Sequence, residues 1–204
     1  ELFVIEGGTR LEGTITPAGN KNGPSRFIAT LLTDEDIVLR NLPDILDIRT
    51  ILEILEDLGV QVTRLGPNEL SIRATAPIRT SPQPDLSRNV RGAFMFAGPL
   101  VARHGQATIP RPGGDRIGRR RIDPHIQALE AMGAEVRTNH VVSLQAPNGL
   151  HGADIFLDER SVTATESALM AAVLAKGETI VRNAASEPHV QDLCHLLNEM
   201  GAPP

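Results

Sequence analysis

The sequence predicts an α/β (α+β) fold built from three copies of one helix–strand–helix–hairpin unit, and three observations carry that prediction. Segments 32–41 and 174–183 align without a gap at an offset of 142. The same offset carries Gly59 onto Gly201. Between them, Leu100-Val101-Ala102-Arg103-His104-Gly105 and Ala128-Leu129-Glu130-Ala131-Met132-Gly133 mark a third copy, so the period is roughly 70 residues.

Each unit opens on an apolar helix, expected over 24–33, 91–102 and 164–175, and continues into a short strand over 36–40, 106–110 and 178–182. A second helix follows over 47–58, 122–132 and 189–200. In its first copy Ile48, Ile51, Leu52, Leu55 and Leu58 recur at three- and four-residue spacings, which places them on one buried stripe. Gly59, Gly133 and Gly201 stand where a helix ends in a left-handed cap. Two short strands and a turn then follow in unit one (60–65 and 69–73, around Gly66-Pro67-Asn68) and unit two (134–138 and 141–145). Unit three runs into Pro203-Pro204 with no hairpin, so it is expected to be a truncated copy. The repeats are delimited at about 9–75, 76–146 and 147–204. The opening Leu2-Phe3-Val4-Ile5 has the character of the strand that could close unit three, and deleting residues 1–8 is then expected to reduce stability.

A chain of 204 residues with 41 % apolar residues can bury a full core. It carries no run near the roughly 20 apolar residues of a membrane span and no signal-peptide pattern at its start, which predicts a soluble, cytoplasmic protein without a membrane partner. Cys194 is the only cysteine, so neither an internal disulfide nor a cysteine-based metal site is expected, and no cofactor is called for. A net charge of −5 and 2 % aromatic residues argue against a nucleic-acid partner. His104, His125, His140, His151, His189 and His195 are scattered and read as surface or packing residues.

Unit two departs from the pattern. From strand opening to glycine stop, Glu35–Gly59 and Gly177–Gly201 are each 24 positions, whereas Gly105–Gly133 is 28. The four extra residues fall in Pro110-Arg111-Pro112-Gly113-Gly114-Asp115-Arg116-Ile117-Gly118-Arg119-Arg120-Arg121. Its hinge glycines, single carboxylate and five arginines suit closure over a phosphorylated anion, because guanidinium groups grip phosphate and carboxylate through paired hydrogen bonds. A solvated basic loop or half of a nucleic-acid patch has the same composition. A second anion-site signal is Lys21, one of only two lysines, in Ala18-Gly19-Asn20-Lys21-Asn22-Gly23-Pro24 ahead of a helix start. A capping turn with an exposed lysine reads the same way, and the spacing is not that of a Walker loop.

Gly19-Asn20-Lys21-Asn22, Gly98-Pro99-Leu100-Val101-Ala102-Arg103, Pro112-Gly113-Gly114-Asp115-Arg116-Ile117-Gly118, Asp123-Pro124-His125-Ile126, Leu129-Glu130-Ala131-Met132-Gly133-Ala134 and Asn183-Ala184-Ala185-Ser186-Glu187-Pro188 together resemble the UDP-N-acetylglucosamine 1-carboxyvinyltransferases. The resemblance runs through the whole chain in order. It implies an inside-out α/β barrel of three βαβαββ repeats, the third truncated here. It also implies transfer of enolpyruvyl from phosphoenolpyruvate to the 3-hydroxyl of UDP-N-acetylglucosamine, with release of phosphate, in peptidoglycan precursor synthesis and hence cell wall biogenesis, cell shape and cell division. The shikimate enzyme of the same group is a poorer match, because its Gly-Asn-Ala-Gly-Thr segment is absent.

By that resemblance Lys21, Asn22 and Arg120 meet phosphoenolpyruvate or the reacting centre, with Lys21 and Arg120 catalytic. Arg91 meets the sugar nucleotide. Arg120, Arg121, Ile122, Asp123 and Pro124, with Glu159, Arg160, Ser161 and Val162, line the uridine and diphosphate site. Asp115 takes the place of the usual loop cysteine as proton donor, which implies insensitivity to fosfomycin. An aspartate must be protonated before it can act as an acid, and neighbouring arginines oppose that unless closure or a bound phosphate offsets them. Arg121, Pro124, Glu159, Thr163 and Met95 differ from the commonest residues of the group.

The group works with two lobes that close on substrate, and this chain resembles the first. The resemblance thus implies a second lobe as partner, to which residues 1–6 could equally belong, self-association through the uncovered face, and little turnover by this chain alone. Two alternatives share the fold: a non-catalytic nucleotide- or anion-binding module, and an enzyme like the RNA 3'-phosphate cyclases.

Overall fold

The computed structural model describes residues 2–16, 19–75, 78–111, 113 and 121–202. In unit one, helix α1 (Pro24–Ala29) tightens into a 3-10 turn, η1 (Thr30–Leu32), and leads to strand β1 (Ile37–Arg40), helix α2 (Leu46–Leu58) and the hairpin β2 (Gln61–Gly66) and β3 (Glu69–Arg73). Unit two begins with a short helix, α3 (Pro84–Asn89). A 3-10 turn, η2 (Arg91–Phe96), runs into α4 (Ala97–His104), and β4 (Gln106–Pro110), α5 (Asp123–Ala131), β5 (Glu135–Thr138) and β6 (Val141–Gln145) follow. Unit three comprises β7 (Asp154–Phe156), α6 (Val162–Ala172), β8 (Ile180–Arg182) and α7 (Pro188–Glu199).

The sheets repeat the units. β1-β3-β2 and β4-β6-β5 are antiparallel with the last strand of each hairpin in the centre. Alternation puts Leu39, Leu70 and Ile72 inward in one and Ala107, Ile109, Val142 and Leu144 inward in the other. α4 packs on α6, and α1 packs on α6 and on η2. Between α4 and α6 the approach is so close that a Cβ on Gly98 would lie 2.5 Å from the Ser167 carbonyl oxygen, so only glycine fits.

The second helices end alike. Gly59, Gly133 and Gly201 have φ of 98°, 94° and 95°. After each, the next N–H returns to a carbonyl five residues back: Val60 to Leu55, Ala134 to Leu129, Ala202 to Leu197. All three are Schellman caps. The α2 stripe buries the five expected residues and adds Ile54.

Two elements were not expected. α3 is a six-residue helix begun by Pro84 in a proline-rich stretch that reads as a turn, and β7 is only Asp154-Ile155-Phe156. β7 pairs in parallel with β8, Ile155 opposite Val181. The counterpart in unit two, among the described residues, is the hydrogen bond from the Thr108 N–H to the Thr80 carbonyl (2.9 Å). The expectation that Leu2–Ile5 closes unit three is not met. Residues 2–16 contain no strand, and Leu2, Phe3, Val4 and Ile5 are 81–87 % exposed, so nothing pairs them with β8.

Among the described residues no helix is long and apolar enough to cross a membrane, and no group of three or more His, Cys, Asp or Glu side chains is arranged to hold a metal ion.

Candidate functional site

A cleft of about 280 Å³ opens where the first helices of the three units begin. Lys21, Asn22 and Pro24 enter it from the turn before α1, Arg91, Gly92 and Met95 from η2, and Val162, Thr163 and Glu166 from the start of α6. Asp47 of α2 and His189 of α7 complete the wall.

Local sequence explains each approach. Asn20 folds the turn by accepting the Asn22 N–H on its side chain (2.9 Å) and the Gly23 N–H on its carbonyl (3.1 Å), which leaves Lys21 exposed at the tip. Pro24 then starts α1. Since α1 is only six residues long, the full charge of Lys21, rather than a helix dipole, dominates here. Ser161 caps α6, its hydroxyl accepting the Ala164 N–H (3.3 Å), and so sets Val162 and Thr163 at the rim.

Arg91 is half-buried and donates to the Arg121 carbonyl (2.8 Å), which ties the cleft to a second cluster. There the Arg121 guanidinium bridges Asp123 (3.0 Å) and Asp158 (2.9 Å), and Gln127 donates to the Phe156 carbonyl (3.0 Å). Beneath it His125 is buried, edge-on to Phe94 at 5.1 Å, with Nε2 3.0 Å from the Thr163 hydroxyl. Burial, reinforced by the positive charge of Arg91, pushes the His125 imidazole down to about 3, so the ring is neutral and acts as packing.

The structure thus brings Lys21, Asn22, Arg91 and Val162 into one cleft. Arg121 and Asp123 form the adjoining ion-pair cluster, with Ile122 half-buried and Pro124 buried at the start of α5. Glu159 and Arg160 are exposed in the connection from β7 to α6. Asp115 and Arg120 lie outside the described residues. His189, read as a surface or packing residue, is half-buried and lines the cleft. Glu166 and Asp47 were missed. Repeat correspondence could have found two of these, because at the offset of 142 Asp47 and His189 are equivalent, as are Lys21 and Thr163.

A family model for EPSP synthase (3-phosphoshikimate 1-carboxyvinyltransferase) matches residues 5–203. The chain is 49 % identical over 202 residues to a UDP-N-acetylglucosamine 1-carboxyvinyltransferase of Treponema denticola, covering 98 % of this chain and 47 % of that one. It is 48 % identical over 201 residues to a Bradyrhizobium diazoefficiens protein of the same name, covering 98 % and 46 %. The chain spans about half the length of these relatives. Among solved structures, the enolpyruvyl transferase NikO from Streptomyces tendae superposes with a TM-score of 0.82 at 22 % identity, over 96 % of this chain and 46 % of that one. An EPSP synthase from Acinetobacter baumannii gives 0.68 at 21 % identity, over 88 % and 42 %. At these identities the two superpositions establish the fold.

Proposed function

The chain belongs to the EPSP synthase family of 1-carboxyvinyltransferases, and we propose that it is one lobe of a UDP-N-acetylglucosamine 1-carboxyvinyltransferase serving peptidoglycan precursor synthesis. The reaction moves enolpyruvyl from phosphoenolpyruvate to a sugar hydroxyl. The methylene carbon takes up a proton while the hydroxyl oxygen, giving up its own, bonds to the enol carbon; the carbon–oxygen bond to phosphate then breaks as the methylene carbon releases a proton, so the double bond reforms and phosphate leaves.

The observation that supports this most is the convergence of Lys21, Asn22 and Arg91 on one cleft in a chain about half identical to relatives of that name. Two cations and an amide facing one cavity suit a substrate with a phosphate and a carboxylate. In this reading Lys21 and Arg120 hold phosphoenolpyruvate, with Asn22 beside them. Arg91 orients the nucleotide together with Arg121–Pro124 and Glu159–Val162. Asp115, which follows β4 in the sequence, supplies the proton to the methylene carbon. The other half of the site comes from a second lobe, to which residues 1–6 belong, so this chain alone binds more readily than it turns over.

Calorimetric titration with UDP-N-acetylglucosamine, with and without phosphoenolpyruvate, run beside a phosphate-release assay, tests the proposal. Binding that phosphoenolpyruvate strengthens, without phosphate release, is the expected result. Failure to bind either substrate would sink it.

A further inference from the structure

Glu166 has no task in the transfer outlined above. It is 3 % exposed, one turn into α6, yet lines the cleft with Lys21, Asn22 and Arg91. Its position corresponds to Pro24 in unit one at the offset of 142, a residue that needs no partner. A buried carboxylate is costly unless several donors satisfy it. Among the described residues Glu166 accepts a hydrogen bond from the Ser25 hydroxyl at 2.9 Å, and Ser25 is itself 1 % exposed. That bond joins α6 to the first turn of α1, four residues after Lys21.

Resting on the reading of the cleft as an anion site, we infer that Glu166 is a positioning residue whose carboxyl takes up a proton when an anion enters beside Lys21 and Arg91, while its bond to Ser25 holds the Lys21–Asn22 turn in place.

The charges around Glu166 decide the sign. From α1 and its preceding turn come Arg26, which is paired with Asp192, and Lys21. Arg91 faces it from η2, Asp47 from α2, and Glu187 and His189 from the start of α7. Burial raises the Glu166 carboxyl to about 7; the Ser25 hydrogen bond and Arg26 work against that rise and Glu187 adds to it. Near neutral pH the group is therefore poised between its two forms, and a dianion alongside favours the neutral one. A protonated carboxyl still accepts the Ser25 hydrogen bond through its carbonyl oxygen, so the turn stays anchored.

The test is calorimetric titration of the whole chain with sulfate, whose dianion takes up no proton between pH 6 and pH 8, in two buffers of different ionisation heat. Phosphoenolpyruvate serves as a second probe. Affinity for sulfate should fall about tenfold from pH 6 to pH 8, with heats that differ between buffers by the uptake of a proton. In Glu166→Gln, which keeps an acceptor for Ser25, affinity should no longer change with pH and the buffer difference should vanish. His189 lines the same cleft. A slope that persists in Glu166→Gln therefore overturns the proposal, and so does equal affinity at pH 6 and pH 8 in the unaltered chain; both leave the anion reading intact. If neither anion binds at pH 6, that reading falls and the proposal with it.

Discussion

The two ends of the helix layer obey different rules. At the end where the second helices stop, Gly59, Gly133 and Gly201 are the same residue in the same backbone conformation with the same returning hydrogen bond. At the end where the first helices start, the corresponding positions are Lys21, Arg91 and Thr163, three different side chains facing one cleft. Repetition preserves what the backbone needs in order to turn, whereas the cleft needs a different group from each unit. Substitution in the repeating frame should thus cost stability, and substitution in the cleft should change ligand binding and its dependence on pH.

The largest effect is expected at Gly98, within the frame. Gly98→Ala puts a methyl group 2.5 Å from the backbone oxygen of Ser167, so a helix must move. Overpacking against a backbone atom costs about 3 kcal/mol or more, and Tm should drop by roughly 6–12 °C or more in thermal denaturation. An unchanged Tm would mean that α4 and α6 are not held at this spacing.

Glu166→Gln comes next and separates the two ends most cleanly. The folded carboxyl titrates near 7 against an ordinary 4.5, so between those values the folded chain holds a proton that the unfolded chain has lost. The group's contribution is complete below about pH 4.5 and declines as pH rises to about 7, by on the order of 3 kcal/mol. Glu166→Gln should match the unaltered chain at pH 4 and be the more stable of the two at pH 8, as read from urea unfolding at both values. A variant no more stable at pH 8 would show that the carboxyl is not desolvated.

Much of the frame is legible in the sequence because it rests on local rules. The α2 stripe follows a period of 3.6, and the glycine stops answer a backbone requirement that few other residues meet. The cleft is only half legible. Lys21 stands out because lysine is scarce, and Arg91 through resemblance. Glu166 does not stand out, since a single carboxylate inside the stretch Val162–Ala172 carries no sign of its burial, which only tertiary packing produces. α3 and β7 are missed because six and three residues carry too few turns or alternations to show a period.

If the three stops are equivalent, replacing each by alanine should cost the same. Every site has φ near 95°, where an alanine is strained by about 1 kcal/mol, worth roughly 2–4 °C in Tm. At Gly133 a Cβ would also meet the His151 ring at 2.6 Å, but that side chain is exposed and can swing away. Three equal losses in parallel melts would confirm the repeat as an energetic one. A much larger loss at Gly133 would show that unit two is built under a separate constraint.

The smallest effect is expected at residues 1–8, where unit three differs from its siblings. β1 and β4 each lie against a hairpin strand, whereas β8 pairs with β7 alone among the described residues, and Ile180 is 41 % exposed. If Leu2–Ile5 covered that edge, removing them would strip apolar contacts worth several kcal/mol at about 25 cal/mol per Å². They are instead 81–87 % exposed, so a chain lacking residues 1–8 should melt within about 1 °C of the full chain. A marked loss would mean that this segment does pack on the protein in solution, with the edge of β8 as the first place to look for it.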